Sequence, residues 1–118
     1  MIDTHSHIDG EEFDEDRDLA IERAKEAGIE KIFVPAIDLS SISSVLETCN
    51  RYLGYAYPMI GLHPEEVKED WCEVLAKMRS MLDGHDHPFI AVGEVGLDFY
   101  WSREFEQQQL EAFEEQVR

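Results

Sequence analysis

Apolar residues in this chain alternate between two rhythms: short dense runs, and longer runs spaced by three and four. Residues 2–4 open as a short strand. Leu19, Ala20, Ile21, Ala24 and Ala27 then recur at helical spacing, with Gly28 in the position of a helix stop. Residues 31–37 are almost continuously apolar, as a strand buried on both faces requires. Ser40 or Ser41 offers a cap for the next helix, whose apolar face reads Ile42, Val45, Leu46, Cys49, Tyr52 and Leu53. Residues 55–60 predict a third strand, which runs on through Gly61-Leu62-His63-Pro64. Its helix carries Val67, Trp71, Val74, Leu75, Met78 and Leu82 and stops at Gly84. The fourth strand is predicted over 89–94. A loop over 95–101 leads to Ser102 as cap of a last helix bearing Phe105, Leu110, Phe113 and Val117.

Strand and helix alternating four times with short connections predict an α/β fold. The expected architecture is four successive strand–helix units, with parallel strands in the order 1-2-3-4 and helices packed outside the sheet. The polar residues then sort by position. His5 and His7 follow strand 1, Asp38 follows strand 2, His63 follows strand 3, and Glu94 and Asp98 follow strand 4. All lie at carboxyl ends of strands, the rim on which parallel α/β folds build their sites.

On an extended segment the side chains of His5 and His7 point the same way, because strand side chains alternate faces. Two imidazole nitrogens converging on one point are half of a divalent-metal site, and Asp3 and Asp9 bracket them with carboxylates. A pair of surface histidines near a terminus is the plain alternative, and the shared rim favours the metal. His85-Asp86-His87 has the same letters but lies between the Gly84 stop and Pro88, at the amino end of strand 4, where a solvated loop is expected. Asp38 reads as the cap of the helix that starts near Ser40.

Composition narrows the partners. The 118 residues allow one domain, and 43% apolar content supports a core. No apolar run approaches the roughly 18 residues that span a bilayer, and no basic-then-apolar leader is present, so no membrane partner and a cytoplasmic location are expected. Cys49 and Cys72 fall singly on helical patterns and read as small hydrophobes in a reducing compartment. Against 27 acids stand 10 Lys and Arg, a net charge of −17. Such a surface repels polyanions and disfavours broad nucleic-acid binding, though a divalent cation can supply positive charge locally for a phosphate ester.

The stretches Asp3-Thr4-His5-Ser6-His7-Ile8-Asp9, Gly61-Leu62-His63-Pro64 and Gly93-Glu94-Val95-Gly96-Leu97-Asp98-Phe99-Tyr100 together resemble the TatD-type metal-dependent deoxyribonucleases, which are amidohydrolase-like TIM barrels. Residues 107–113 are similar to the helix that follows in that family, so the resemblance covers essentially the whole chain. It implies hydrolysis of phosphodiester bonds in DNA with two divalent ions, Mg²⁺, Mn²⁺ or Zn²⁺. His5 and His7 would bind the first ion and Glu94 would bridge it to the second. His63 and Asp98 would contact substrate, Asp98 by orienting its loop or a ligand. Phe99, Tyr100 and Trp101 would either stack on bases or cover the barrel mouth. Arg103 is a phosphate contact or a helix-surface arginine.

A TIM barrel has eight strand–helix units in about 250 residues. Residues 1–118 therefore correspond to the N-terminal half of such a domain. The family takes two more histidines and a late aspartate from later strands, so its general base has no counterpart here. An inactive or incomplete fragment is expected, with strands 1 and 4 as open edges that a homodimer would close into a full barrel. Substrates of the complete enzyme would be DNA ends or small phosphodiesters. Two alternatives remain from the sequence: another amidohydrolase-like or PHP-type hydrolase, and a non-catalytic α/β fragment with residual metal binding or self-association.

Overall fold

Lys31–Pro35 (β2) and Ala56–Ile60 (β3) form the centre of a parallel sheet, with Ile32 opposite Ala56 and Val34 opposite Pro58. The computed structural model describes all of residues 1–118. Ile2–Asp3 (β1) pairs with β2 on one side, and Ala91–Val92 (β4) pairs with β3 on the other, giving the order β1-β2-β3-β4. Helices Arg17–Glu26 (α1), Leu39–Arg51 (α2) and Trp71–Leu82 (α3) connect successive strands, and Glu106–Val117 (α4) follows the last. Consecutive parallel neighbours joined by helices are the layout of half a (β/α) barrel. No helix is long and apolar enough to cross a membrane.

The core lies between this sheet and α2. Val34, Ile60 and Leu62 are essentially inaccessible, and Ile42, Val45 and Cys49 of α2 are buried against them. Burial, with the nearby Asp9 carboxylate adding to it, pushes the Cys49 thiol up to about 12, so it is an inert hydrophobe at neutral pH.

Several local expectations are corrected. Asp38, not Ser40 or Ser41, caps α2: its carboxylate accepts from the Ser41 backbone N–H while the Ser41 hydroxyl accepts from the Asp38 N–H, a capping box. Leu53 lies past the helix end and is exposed. Val67 closes a 3-10 turn over Pro64–Glu66, and α3 begins at Trp71.

Strand 4 is much shorter than 89–94. Its N–H groups at Ile90 and Gly93 reach the Pro58 and Ile60 carbonyls, three residues apart on β4 against two on β3. That extra residue is a bulge in effect, and it ends regular pairing just before Glu94.

The last helix starts at Glu106 rather than after Ser102, and it turns an unexpected face inward. Gln109 and Ala112 are buried while Leu110 and Val117 are exposed. The Gln109 amide matches both polar groups of the Asp98 backbone, which a leucine cannot do.

Both outer strands are open edges. Beside β4 lies a groove of about 800 Å³ between the sheet, α3 and α4, with Ile60, Leu75, Met78 and Val92 on its walls. Ile90 and Val92 remain exposed, and nothing in this chain covers them.

Candidate metal centre

Three strands deliver the centre. Past β1 the chain bends at Thr4, yet the Ser6 N–H still reaches the Phe33 carbonyl of β2, which ties the segment between the two histidines to the sheet. Asp3 accepts from the His5 backbone N–H at 3.0 Å and fixes the turn out of the strand. With Ser6 tied to β2, the side chains of His5 and His7 converge and their Nε2 atoms lie 3.1 Å apart.

The following loop is held from beneath. Arg17, at the start of α1, donates to the carbonyls of Ile8, Asp9 and Gly10 and pairs with Asp14. Ser44 of α2 donates to Asp9 Oδ2 at 2.8 Å. Asp9 is thus a brace between loop and helix, not a neighbour of the histidine nitrogens.

Glu94 arrives from the opposite side of the sheet. Its Oε2 lies 3.2 Å from His5 Nε2 and 3.6 Å from His7 Nε2, while its Oε1 lies 3.3 Å from His63 Nε2. The nitrogens of His5 and His7 and a Glu94 oxygen fall within 4.8 Å of one another, and no other such group occurs in the chain. His63 is adjacent to this group rather than in it. Asp98 and Asp38 lie outside it, Asp38 as a helix cap.

The backbone must come unusually close for this to happen. A Cβ on Gly61 would lie 2.7 Å from the Gly93 carbonyl carbon, so only glycine lets the exits of β3 and β4 meet. Two residues legible only as helix polarity complete the support. Gln109 accepts from the Asp98 N–H and donates to the Asp98 carbonyl, at 2.9 and 3.0 Å. Gln116, two turns on, accepts from the Leu62 N–H at 2.8 Å and its amide lies 3.4 Å from the Leu62 carbonyl. α4 therefore fixes the backbone next to His63 and the loop after Glu94. The Asp98 carboxylate accepts from the Tyr100 N–H, bracing that loop. Their only sequence signal was two glutamines seven apart on one helical face.

The donor set fits a divalent cation. Glu94 Oε2 is buried without a hydrogen-bond partner, although two imidazole nitrogens lie close to it. A ring proton can join the two facing Nε2 atoms, but Glu94 Oε2 has no hydrogen-bond partner, and one cation would satisfy both nitrogens and that oxygen together. Nitrogen and carboxylate donors together suit Zn²⁺ or Mn²⁺ better than Mg²⁺. The centre is open: His5 and His7 are about half exposed (50% and 45%), which leaves room for a substrate to approach.

On the rim, Tyr100 and Trp101 are exposed and stack edge to face, so neither covers anything in this chain. Arg103 lies over the Phe99 ring and forms two hydrogen bonds with Glu106, which hold the Glu106 carboxyl below its ordinary value. Arg103 thus lies ahead of α4 rather than on its surface, and is committed to Glu106 in that helix's first turn.

Known proteins share this fold. The crystal structure of YJJV, a TatD homolog from Escherichia coli, superposes with a TM-score of 0.84 at 33% identity, covering 99% of this chain and 45% of that one. The metal-dependent hydrolase YabD of Bacillus subtilis is 34% identical over 117 residues, 99% of this chain and 45% of its own length. A protein of Erwinia amylovora named 3′-5′ ssDNA/RNA exonuclease TatD is 31% identical over 120 residues, 99% of this chain and 44% of its own length. The chain spans less than half the length of the curated relatives it matches. The family described as TatD related DNase matches residues 2–118, and with that match added to the fold and the clustered rim residues, the chain belongs to the TatD family.

Proposed function

We propose that His5, His7 and Glu94 bind a divalent metal, and that the protein to which residues 1–118 contribute the N-terminal half hydrolyses phosphodiester bonds at nucleic-acid ends. The observation that carries this reading is the convergence of two imidazole nitrogens on a buried, unpartnered carboxylate oxygen. A bound divalent ion supplies acidification of water and neutralisation of charge developing on phosphorus. His5 and His7 donate neutral nitrogens, and Glu94 keeps a second oxygen for a second ion or for a neighbour. Asp98 shapes the substrate side of the rim through its turn with Tyr100. Tyr100 and Trp101, both exposed, stack on terminal bases, a contribution of about 1–3 kcal/mol per base.

The charge of −17 supports ends or small phosphodiesters over long duplex tracts, because few cations are available to neutralise a backbone. A relative named for exonuclease action on single-stranded DNA and RNA points the same way. The free Cys49 and Cys72 support a reducing, cytoplasmic setting. Residues 1–118 are read as half a barrel because β1 and β4 are open and the groove beside β4 has apolar walls. A second copy closing the sheet is the corresponding reading for the chain alone, and its mass in solution by light scattering tests it.

Calorimetric titration with Zn²⁺ and Mn²⁺, paired with cleavage assays on single strands by the full-length protein, tests the main proposal. Binding that depends on His5 and His7, and cleavage lost in Glu94→Ala, are the expected results. Turnover confined to cyclic amides or sugar phosphates would refute the phosphodiester substrate.

A further inference from the structure

His63 differs from the other two rim histidines in what its Nδ1 does. The chain turns at His63 into the 3-10 turn Pro64–Glu66, and the Glu65 backbone N–H donates to His63 Nδ1 at 3.0 Å. A nitrogen that accepts a hydrogen bond carries a lone pair, so in the neutral ring the proton resides on Nε2. That nitrogen is the one 3.3 Å from Glu94 Oε1. His5 and His7 meet the other carboxylate oxygen, Oε2. Glu94 is therefore divided: one oxygen faces two nitrogens of the metal group, and the other faces an N–H.

The side chain is built for this task. His63 is only 20% exposed, and Gln116 pins the backbone of the preceding Leu62. The ring cannot turn over without giving up the Glu65 hydrogen bond. A neutral histidine ligates a metal only through a nitrogen with a free lone pair, and here that nitrogen is the one already engaged by the backbone.

We propose that His63 is a hydrogen-bond donor and not a metal ligand: locked in the Nε2–H form, it orients Glu94 through Oε1. Its action on the metal is through Glu94, which makes it a positioning residue. The effect on metal affinity rests on the metal reading of Glu94 given above, whereas the position of the proton does not.

Long-range ¹H–¹⁵N spectra of the chain labelled at its histidine nitrogens test it, recorded well above the ordinary imidazole pKa of about 6.5. Without metal, His63 is expected to show a bare Nδ1 and a protonated Nε2. A proton on Nδ1 overturns the proposal. With Zn²⁺, the nitrogens of His5 and His7 shift while His63 keeps its Nε2 proton; loss of that proton to Zn²⁺ overturns the proposal and leaves the metal reading standing. Absence of any shift at His5 and His7 sinks the metal reading instead, and the metal-free spectrum still decides the proton on His63.

Affinity separates a donor from a bystander. His63→Ala is expected to weaken Zn²⁺ binding about 10–100-fold at unchanged stoichiometry, the size of effect that outer partners of metal ligands produce. His63→Gln, which keeps an N–H, restores most of it. Equal affinity in wild type and His63→Ala, or loss of a bound equivalent, contradicts the proposal.

Discussion

His5-Ser6-His7 and His85-Asp86-His87 are the same motif at opposite ends of the sheet, and the molecule treats them differently. The first follows β1, where Ser6 ties the chain to β2 and both rings converge on Glu94 from β4. The second precedes β4 in a segment without regular structure. There His85 is exposed, and His87 packs its ring 6.1 Å from that of Phe89. The second motif has an acid between its histidines, yet the three side chains form no ligand group. Convergence, not composition, makes a site: the segment leaving β1, tied to β2 at Ser6, aims two rings together, and the exit of β4 brings the carboxylate.

The sharpest test of the contrast is to remove each pair. His5→Ala with His7→Ala is expected to weaken Zn²⁺ binding at least ~100-fold by calorimetry, beyond the ~10–100-fold seen for outer partners. His85→Ala with His87→Ala leaves binding unchanged, and comparable losses from both pairs would erase the distinction.

Glu94→Gln comes next, since it keeps the shape and removes the charge. Zn²⁺ affinity should fall by at least ~10-fold, with the far-ultraviolet circular dichroism unchanged. Gly61→Ala asks whether the strand exits must touch. The added carbon would lie 2.7 Å from Gly93, so denaturant midpoints should report a loss of about 1–3 kcal/mol, along with weaker metal binding.

His87→Phe examines the second motif as packing. His87 Nδ1 is buried without a partner, so phenylalanine should leave stability equal or raise it by up to ~1 kcal/mol, whereas His7→Phe abolishes metal binding. Loss of more than ~1 kcal/mol in His87→Phe would reveal a polar role for that ring.

Asp18→Asn lies far from both motifs and should have the smallest effect. A hydrogen bond from Tyr52 and the charge of Arg51 hold the Asp18 carboxyl below its ordinary value. The stability it adds is present above the unfolded value of about 3.9 and is lost as pH falls through the lower folded value. The variant should flatten that acid limb in thermal melts and leave Zn²⁺ binding at neutral pH untouched.

Much of the architecture was legible because it follows from local rhythm. Four strand–helix units, their parallel order and the placing of His5, His7, His63 and Glu94 on one rim all come from apolar spacing and stop signals. At α2 the sequence offers Asp38, Ser40 and Ser41 as caps; the Asp38 reading holds, and backbone geometry is what chooses it over the two serines. The apolar face of α4 was misread. Periodicity rewards Leu110 and Val117, but the free backbone groups at Leu62 and Asp98 reward glutamine. Those groups belong to residues 54 and 11 positions away in sequence, so no local pattern reports them.

The identities and spacing of the residues settled the class of fold, the rim and the candidate ligands, because side-chain alternation and helix periodicity are properties of short segments. The contents of the centre needed contacts between distant segments. Contact between the backbones at Gly61 and Gly93 brings Glu94 to the histidines; the bulge in β4 ends its pairing in time for the side chain to turn; and the Glu65 N–H selects which nitrogen of His63 holds a proton. Each is a distance of a few ångströms between groups whose separation the chain's order alone leaves free.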